Sequence, residues 1–485
     1  MKRNKPGFCL LSATLALVTA FGVQAADNER LIVADEPEDL LMLDEGGDEV
    51  LILDEGADAD DSLLIGEGGA DESEAGDDTG TFSPPATLSA SLDHLWLEAG
   101  QFIRQSASKN LQAYAHGLAS MEWNPAREWE FRLSARVDGY VETGRDDWSD
   151  LDLDYDESYL RYKSTSSIAT LGAQKVLWGR IDEFPPTDRL SSQDLRRFII
   201  DDLEDRRLAS PALRLEHFFD GNGKVDLVYY PRFREAQLAD RDSAWHPVNK
   251  HSGEILGLKT TAPAEAIVRQ VPVVEDAPDS EGGAGARFSS IGSGIDYGIS
   301  VQKGRQSIPY FSYHPTRNRI EGRFPRTWIL GGDLGVEALG GTLKFEASWL
   351  SDTPVTRIDG SYTTVRSAAW GAALELFPGD GDARLNLQVT GTRLLNAPRV
   401  RDRDGMYALN GSYETPFAEQ RWRARARFYL GMDEKDLYLN PEIAYTGWEA
   451  QEIYLELHFF DGDKGTPGGF YQDNNIVALG WRADF

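Results

Sequence analysis

Residues 421–430, with the sequence RWRARARFYL, alternate between two kinds of side chain. Arginine occupies positions 421, 423, 425 and 427, and Trp422, Phe428 and two alanines occupy the positions between and after them. A β-strand points successive side chains to opposite faces, so this segment would carry four guanidinium groups on one face and apolar groups on the other. Burying an unpaired charge is costly. The charged face therefore cannot enter a protein core, whereas the apolar face requires an apolar environment.

The same alternation continues through the chain from about residue 90 to the end. It is clearest in residues 129–138, 343–349, 453–459 and 477–485. Strands with one apolar and one polar face are the signature of transmembrane barrels, and the sheet must close because lipid offers no partner for edge N–H and C=O groups. We therefore predict an all-β fold, a transmembrane antiparallel β-barrel over residues 87–485. We expect about 16 strands, with 14 and 18 as alternatives.

The last residues carry a second signal. Phe485 ends the chain and closes an alternating segment that includes Trp481. A terminal aromatic residue in this setting resembles the recognition signal of bacterial outer-membrane barrels. The resemblance implies insertion into the outer membrane of a Gram-negative cell by the barrel-assembly machinery, with outer-membrane lipid as the surroundings. A strand of a soluble sandwich is the alternative, but it does not explain the terminal apolar aromatic.

Composition excludes several classes of protein. The 485 residues include 49 Lys+Arg and 80 Asp+Glu, for a net charge of −31, which argues against a nucleic-acid partner. The mean hydropathy of −0.43 excludes a bundle of membrane helices. The one cysteine, Cys9, lies in a segment predicted to be removed, so the mature chain would have no disulfide, Cys-zinc site or catalytic thiol.

Residues 1–25 have the pattern of a secretory signal peptide. Lys2, Arg3 and Lys5 precede an apolar run, and Val23-Gln24-Ala25 resembles a cleavage site. The alternative is a membrane anchor, but the run is short for one. We expect the signal to be cleaved and the protein to leave the cytoplasm.

Residues 26–86 form an acidic segment that we predict to be disordered and periplasmic. Short apolar triplets followed by acidic residues recur in it, as in the LMLDEG at 41–46 and the LILDEG at 51–56. Such triplets are typical of linear motifs that add to a partner's sheet edge; the alternative is a solvated spacer. The predicted docking residues for a periplasmic or inner-membrane transport partner are Leu41, Leu43, Leu51 and Leu53.

Residues 178–211 interrupt the strand pattern. Ser191 or Ser192 offers a helix cap, and apolar residues follow at roughly helical spacing. We predict a short amphipathic helix in a loop that folds into the barrel and narrows it; the alternative is an extracellular loop away from the pore. The candidate constriction residues are Trp178, Arg180, Asp182, Asp188, Arg196, Arg197, Asp201, Asp202, Arg206 and Arg207. A second interruption, residues 261–294, is predicted to be a mobile surface loop.

Basic side chains on the polar strand faces are candidates for lining the pore. They are Arg132, Arg136, Arg421, Arg423, Arg425 and Arg427. They would make a path for anions, because charged rings set pore selectivity. The alternative is that they form salt bridges with Asp138, Glu442 and Glu456 that stiffen the barrel.

Enzyme motifs are not apparent in the sequence. The seven histidines form no metal-spaced pair, and neither a Gly-x-Ser-x-Gly motif nor a phosphate-binding loop occurs. We therefore predict no catalytic residue, no metal and no cofactor, and no enzymatic activity. A barrel enzyme with a Ser/His pair near the rim is the less favoured alternative.

The segment GAQKVLWGRID at 172–182, followed by Pro185 and Asp188, resembles a recurring element of the alginate-export-like proteins and a related uncharacterised outer-membrane family. Residues 328–333, WILGGD, which lead into the strand ending at Trp349, also resemble that group. The resemblance implies a porin-type channel for export or uptake of a small molecule, a lipid-like compound or a polymer. A non-transporting anchor or assembly protein that presents the acidic tail is the alternative.

Overall fold

A computed structural model describes residues 87–485 except positions 293, 380 and 398. The predicted signal peptide, the acidic segment and its docking leucines Leu41, Leu43, Leu51 and Leu53 lie outside the described residues. None of the helices between residues 87 and 485 is long and apolar enough to cross a bilayer as a helix.

The first half of the described chain contains long strands and one long interruption. The first six strands are β1 (Thr87–Phe102), β2 (Lys109–Ala126), β3 (Trp129–Gly144), β4 (Trp148–Tyr155), β5 (Ser158–Lys163) and β6 (Ser167–Gln174). Residues 175–209, which we call the strap, contain β7 (Ser192–Leu195), α1 (Leu203–Arg206) and β8 (Arg207–Leu208). After the strap come β9 (Ser210–Phe219) and β10 (Gly223–Tyr230).

The middle of the chain alternates between loop structure and long strands. The loop after β10 holds β11 (Gln237–Leu238), β12 (Val248–Asn249), β13 (Glu254–Ile255), α2 (Ala262–Gln270) and β14 (Val273–Val274). The strands β15 (Gly283–Ile291) and β16 (Ile295–Arg305) follow, and then a loop hairpin of β17 (Tyr310–His314) and β18 (Arg319–Arg323).

Long strands dominate the last third of the chain. They are β19 (Arg326–Ala338), β20 (Gly341–Thr356), β21 (Tyr362–Leu376), β22 (Arg384–Leu395), β23 (Gly405–Phe417), β24 (Trp422–Gly431), β25 (Asp436–Trp448) and β26 (Gln451–Gly462). A short helix, α3 (Pro467–Phe470), precedes the final strand, β27 (Ile476–Asp484).

The long strands form one closed antiparallel sheet. Each pairs with its neighbour, and β27 pairs back onto β1, with Trp481 opposite Leu97. Both β4 and β5 pair with β3, along successive parts of it, so together they fill one place in the wall. Nineteen strands therefore make 18 positions around the ring. The fold class is as predicted, and 18 is one of the alternatives to the expected 16.

Part of the difference in strand number arises from the predicted surface loop at 261–294, which was wrong in part. Its last section is the barrel strand β15, which pairs with β10 and with β16, and its first section contains α2. The sequence GAGARFSSI of β15 has little alternation between apolar and polar residues. Backbone hydrogen bonds to two neighbouring strands stabilise β15 as a strand, although its side chains show little of the pattern that predicts one.

The two faces of the barrel wall have opposite character. On β3, Asp138 is 0% exposed and Arg136 is 4% exposed, whereas Leu133 on the other face is 59% exposed. The same reversal occurs at the chain end, where Leu479 is 58% exposed. A barrel that exposes its leucines and encloses its charges is suited to lipid outside and a polar interior.

The two ends of the barrel differ in their connections. The end that holds residues 87 and 485 has short connections, such as 127–128 and 449–450, while the other end carries the loop from 231 to 282 and the start of the strap. At that second end an apolar cluster packs α2 and the small strands together. It consists of Val248, Ile255, Leu258, Val268, Val271, Val273, Phe311 and Ile320.

Candidate functional site: the strap across the barrel

The strap enters the barrel from the end with the long loops, and its side chains contact both sides of the interior wall. It contacts β20 through Glu346 and β2 through the ring of Tyr114. These two strands are nine places apart in a ring of 18, so they lie across the barrel from one another. The strap therefore crosses the interior.

Glycines on the inner wall make room for the strap. A Cβ added at Gly285 would lie 2.7 Å from the indole ring of Trp178, and one added at Gly331 would collide with the side chain of Thr187. The indole Nε1 of Trp178 also donates a hydrogen bond of 2.9 Å to Asp226. Only residues without a side chain let the strap approach the wall so closely.

A buried carboxylate on β20 organises the first turn of the strap. The carboxylate of Glu346, which is 2% exposed, accepts hydrogen bonds from the backbone N–H groups of Arg180 (2.7 Å), Ile181 (3.0 Å) and Thr187 (2.7 Å). The Thr187 hydroxyl adds a fourth, at 2.7 Å. Backbone N–H groups without strand or helix partners are thereby satisfied, and the turn is fixed to the wall.

The strap's predicted residues in this turn are each paired. Arg180 Nε lies 2.5 Å from Asp333, whose carboxylate also accepts from Arg287 at 3.0 Å. The carboxylate of Asp182 accepts from the amide of Asn386 on β22. Side chains of the strap thus bond to several barrel strands, and these strands lie far from the strap in the sequence.

Two strap arginines contact a wall of aromatic and acidic groups. The Arg196 guanidinium lies 2.9 Å from Asp152 and 3.4 Å from Asp138, and it stacks 4.6 Å above the ring of Tyr140. The rings of this wall pack on one another and on the strap. They belong to Trp96, Tyr114, Tyr140 and Tyr454. We call these rings and their acidic neighbours the aromatic wall.

One strap carboxylate contacts the opposite kind of surface. Asp202 lies 2.8 Å from Arg425 and also forms an ion pair with Arg427, both on β24. The carbonyl of Ile200 accepts a further bond from Arg427, at 2.7 Å. We call the inward side chains of Arg423, Arg425 and Arg427 the arginine wall.

Ion pairs also hold the strap together internally. Arg206 donates to Glu183 over 3.1 Å, and Arg207 lies 3.1 Å from Asp188. The Ser191 hydroxyl donates to Asp188 over 2.5 Å. The contacts of Arg206 and Arg207 join the part of the strap before the sharp turn at Phe198 to the part after it.

The predicted amphipathic helix is wrong for most of its length. Ser192 begins the short strand β7, and helix α1 contains only Leu203–Arg206. The chain turns sharply between them at Phe198, which has a φ of 56°. Tertiary bonds replace the missing helical bonds: β7 pairs with β8 and with β11, a partner remote in sequence.

Burial and neighbouring charge shift the acidity of the strap carboxyls in opposite directions. The pKa of Asp201 is raised to about 7, mainly by burial and in smaller part by nearby Glu98, Asp205 and Asp194, while Arg197 opposes the shift. Burial would also raise the pKa of Asp202, but Arg427 and Arg425 hold it well below its usual range. Two adjacent carboxyls therefore have pKa values shifted in opposite directions.

The candidate pore-lining arginines occupy different places. Arg423 lies 2.8 Å from Glu452 and 3.0 Å from Glu442, and Arg425 lies 3.3 Å from Glu442. Arg136 lies 2.7 Å from Asp138, its neighbour on the inner face of β3. The predicted salt bridges to Asp138 and Glu442 are thus present, whereas Glu456 contacts His458 at 3.2 Å.

The remaining two arginines of that set differ from each other. Arg132 lies on β3 at the register position of Tyr159 of β5. Arg421 does not belong to the wall: it lies in the turn before β24, its side chain is 63% exposed and it pairs with Glu419 at 3.0 Å. Positive φ values at Ala418, Glu419 and Gln420 end the strand geometry before position 421.

The predicted assembly residues lie on the outer side of the barrel near its short-turn end. Phe485 is 66% exposed, and its N–H donates to the carbonyl of Asp93 over 3.2 Å. The indole of Trp481 donates to Gln451 over 3.3 Å. Both aromatic side chains are accessible to lipid or to a protein partner.

Several residues of the site had no role in the sequence analysis. Glu346 and the wall glycines are the main examples, and Trp96 and Glu98 on β1 are others. The alternation of Trp96 and Glu98 with Leu95 and Leu97 could have indicated that Trp96 and Glu98 face the interior of the barrel. A second missed element is the loop after β10: Ser243 donates to Glu142 over 2.7 Å, and the indole of Trp245 bonds to Gln112 inside the barrel.

Comparison with known proteins finds likeness among solved structures. No protein-family model and no curated protein matches the chain. Acinetobacter baumannii OccAB1 is 8% identical with a TM-score of 0.48, covering 82% of this chain and 96% of that one. Pseudomonas aeruginosa OccK7 is 12% identical (TM-score 0.42; 82% and 99%), and the outer membrane channel DcaP of A. baumannii is 9% identical (0.40; 83% and 98%).

The chain's own geometry is closed and antiparallel, with an even number of wall positions, an apolar exterior and a charged interior. This is the architecture of a transmembrane β-barrel. The resemblance to alginate-export-like proteins remains a prediction. Among residues 87–485, apart from the three undescribed positions, no three His, Cys, Asp or Glu side chains are grouped to hold a metal ion.

Proposed function

We propose that this protein is an outer-membrane channel for small polar solutes and that the strap is its constriction. One observation carries the proposal: a segment of 35 residues, 175–209, leaves the sheet and crosses a charged interior instead of covering the barrel from outside. An infolded segment narrows a passage, whereas an anchor needs only a filled barrel. Small solutes suit it better than a polymer or lipid-like compound, because the strap crosses the interior between walls that carry many charged side chains.

The paired arginines bear on the proposed selectivity. Arg423, Arg425 and Arg427 face acids of β25, β26 and the strap, so their charge is largely balanced. We expect Arg132, Arg423 and Arg425 to line the passage beside the strap and to orient solutes, with weak net preference for anions. Arg136 and Arg427, which are 4% and 7% exposed, hold the wall and the strap instead.

Single-channel recording tests the proposal. The full-length mature protein in planar bilayers should show discrete openings, and replacing residues 187–207 by a short Gly-Ser linker should raise the conductance, because the strap then no longer crosses the interior. Arg421→Ala, in an exposed turn, is the matched control and should leave conductance unchanged. A silent protein with a correctly folded barrel would instead favour the anchor or assembly role.

The location and partners belong to the same proposal. Barrels of this class have short periplasmic turns and longer extracellular loops, which supports placing residues 87 and 485 at the periplasmic end. The acidic segment would then lie in the periplasm and dock a transport partner. Deleting residues 27–80 should leave a heat-modifiable barrel and remove a co-purifying partner, and replacing Leu41, Leu43, Leu51 and Leu53 by Ser should do the same. Failure of the barrel to assemble without residues 27–80 would contradict docking.

The assembly signal is tested separately. Phe485→Ser should slow insertion by the barrel-assembly machinery, because it removes the terminal aromatic while leaving every strand pair intact. The measurement is the fraction of heat-modifiable protein in outer-membrane preparations, with Leu479→Ser on the same outer face as the control. Equal loss in both variants would show that lipid-facing apolarity, not the terminal residue, is what matters.

A further inference from the structure

The side chain of Arg197 occupies a defined pocket in the aromatic wall. It is 3% exposed, and its guanidinium carbon lies 4.4 Å above the ring of Tyr114 and 5.0 Å above that of Trp96. It forms an ion pair with Glu98 and lies 2.9 Å from Asp201. Two rings and two carboxyl groups therefore surround one cation.

The wall side of this pocket is built independently of the strap. The second carboxylate oxygen of Glu98 accepts from the Tyr454 hydroxyl at 2.7 Å, and that hydroxyl accepts from the Trp96 indole at 2.5 Å. The rings of Trp96 and Tyr114 meet edge to face, 5.0 Å apart. Because strands of the barrel hold all four groups in place, the pocket would keep its shape if Arg197 left it.

Such a pocket has the chemistry that recognises a guanidinium ion. A planar cation stacks on aromatic faces and donates to a carboxylate in its own plane, and both kinds of partner are present. Arg482 also stacks on Trp96, at 4.3 Å, and lies 3.5 Å from Glu452. It would remain beside the pocket as a positive charge if Arg197 left. A ligand with one positive charge fits this balance, because Glu98 would otherwise lose its ion-pair partner.

Arg197 does not use the pocket fully, and its segment is attached in a way that permits departure. Within the described part of the chain, its Nε and Nη1 have no hydrogen-bond acceptor of good geometry. Its neighbour Phe198 has a φ of 56°, a costly conformation for a bulky residue. The adjacent strand β7 pairs with β8 and β11, not with a barrel strand. Moving the part of the strap around Arg197, which we call the strap tip, would therefore break ion pairs and side-chain packing but no hydrogen bond of the barrel sheet.

We propose that Trp96, Tyr114 and Glu98 form a binding site for solutes that carry a guanidinium group, and that Arg197 is its internal occupant, which such a solute displaces. The proposal deepens the proposed function, because it names a substrate class for the channel and a contact that holds the strap closed. The solute's cation takes the place of the Arg197 guanidinium, and the freed strap tip widens the passage.

Calorimetric titration of the full-length protein in detergent tests binding apart from conduction. The probe is ethylguanidinium, and its neutral isostere ethylurea is the control ligand. Arg197→Ala vacates the pocket and should bind ethylguanidinium about tenfold more tightly than the unaltered protein, with no heat from ethylurea. Adding Glu98→Gln to Arg197→Ala should abolish that gain. The Arg421→Ala protein should behave like the unaltered protein.

The outcomes separate this proposal from the channel function. If Arg197→Ala binds both probes equally, or neither while its barrel remains heat-modifiable, the cation site is wrong whatever the conductance. If binding is as expected but bilayers stay silent, the site stands and the channel function fails. If Arg197→Ala does not fold, Arg197→Lys takes its place, because the lysine ammonium stacks less well on the rings. The proposal then requires a gain in ethylguanidinium affinity that is smaller than tenfold but larger than that of Arg421→Ala.

Discussion

The strap is held at two walls that use charge in different ways. At the aromatic wall its arginines lie between rings and carboxylates, and Arg196 contacts Asp152, Asp138 and the face of Tyr140. At the arginine wall the carboxylate of Asp202 is shared by Arg425 and Arg427, without aromatic stacking among these contacts. The first wall recognises a flat cation by shape as well as charge, whereas the second holds an anion by charge and hydrogen bonds.

The two attachments should therefore respond differently to perturbation. Salt weakens an ion pair more where one partner is open to water. The side chain of Asp202 is 26% exposed and that of Arg197 is 2% exposed, so the arginine wall should release Asp202 before the aromatic wall releases Arg197. Stacking on rings is less sensitive to salt, and it depends on the planarity of the guanidinium. Substitutions at either wall therefore provide a direct test of which contact closes the channel.

The largest effect is expected at the arginine wall. Arg427→Glu places a carboxylate beside Asp202 and Glu183, and breaking a buried pair in this way costs about 3–5 kcal/mol of unfolding free energy. Urea unfolding in detergent, followed by the heat-modifiable shift in gel migration, measures it. Arg427→Lys keeps the charge and should lose less. Equal midpoints for the Glu and Lys variants would mean that the charge of Arg427 does not hold the strap.

A smaller effect is expected where the strap touches the wall. Gly331→Ala brings a methyl group against Thr187, and overpacking of this kind costs about 1–3 kcal/mol. Gly332→Ala is the matched control, since its Cβ would lie at an ordinary 3.5 Å from the carbonyl of Gly298. The same urea midpoints report on both. A loss at 332 equal to that at 331 would assign the effect to strand geometry instead of strap contact.

The aromatic wall should make strap docking sensitive to pH through Asp201. Its folded-state pKa is raised to about 7, chiefly by burial, above an unfolded value of about 3.9. The contribution to stability is therefore fully present below about pH 4 and is lost as pH rises through about 7. Urea midpoints measured from pH 5 to 8 should fall in the unaltered protein relative to Asp201→Asn. Parallel pH profiles would contradict a raised pKa.

The smallest effect is expected at Arg421. Its side chain is mostly exposed and its partner Glu419 is more exposed still, and such surface pairs contribute little. Arg421→Ala should change the urea midpoint within measurement error and leave the ion selectivity of the channel unaltered. A shift in reversal potential would place this residue on the ion path despite its position in the turn.

Alternation predicted the fold well because it reports a physical requirement on every strand. Residues 421–430 and 477–485 needed only their own side chains to be recognised, since one face meets lipid and the other does not. Strand β15 was not predicted because its small residues do not separate into one apolar and one polar face. The helix expected after Ser191 failed for the opposite reason: local spacing favoured it, but pairing with β11 and β8 outweighed local preference.

The candidate site was predictable in part. The sequence indicated which segment would fold inward, because mixed charges at 178–211 suit a polar interior. It did not indicate that Glu346, 159 residues after Thr187, would organise the turn. Nor did it distinguish Arg421 from Arg423, because both fit the same face of the alternating pattern. Only the structure shows that positive φ values at residues 418–420 place Arg421 in the turn before the strand.

By itself the sequence determined the two-faced strands, their closure into a barrel and the excess of charge inside, because these follow from the cost of exposing leucine to water and arginine to lipid. Tertiary structure alone decided which charges meet. Glu98 and Arg197 lie 99 residues apart, and Arg427 and Asp202 lie 225 apart. Their pairing follows from the ring order of the strands and the path of the strap, which no local pattern encodes.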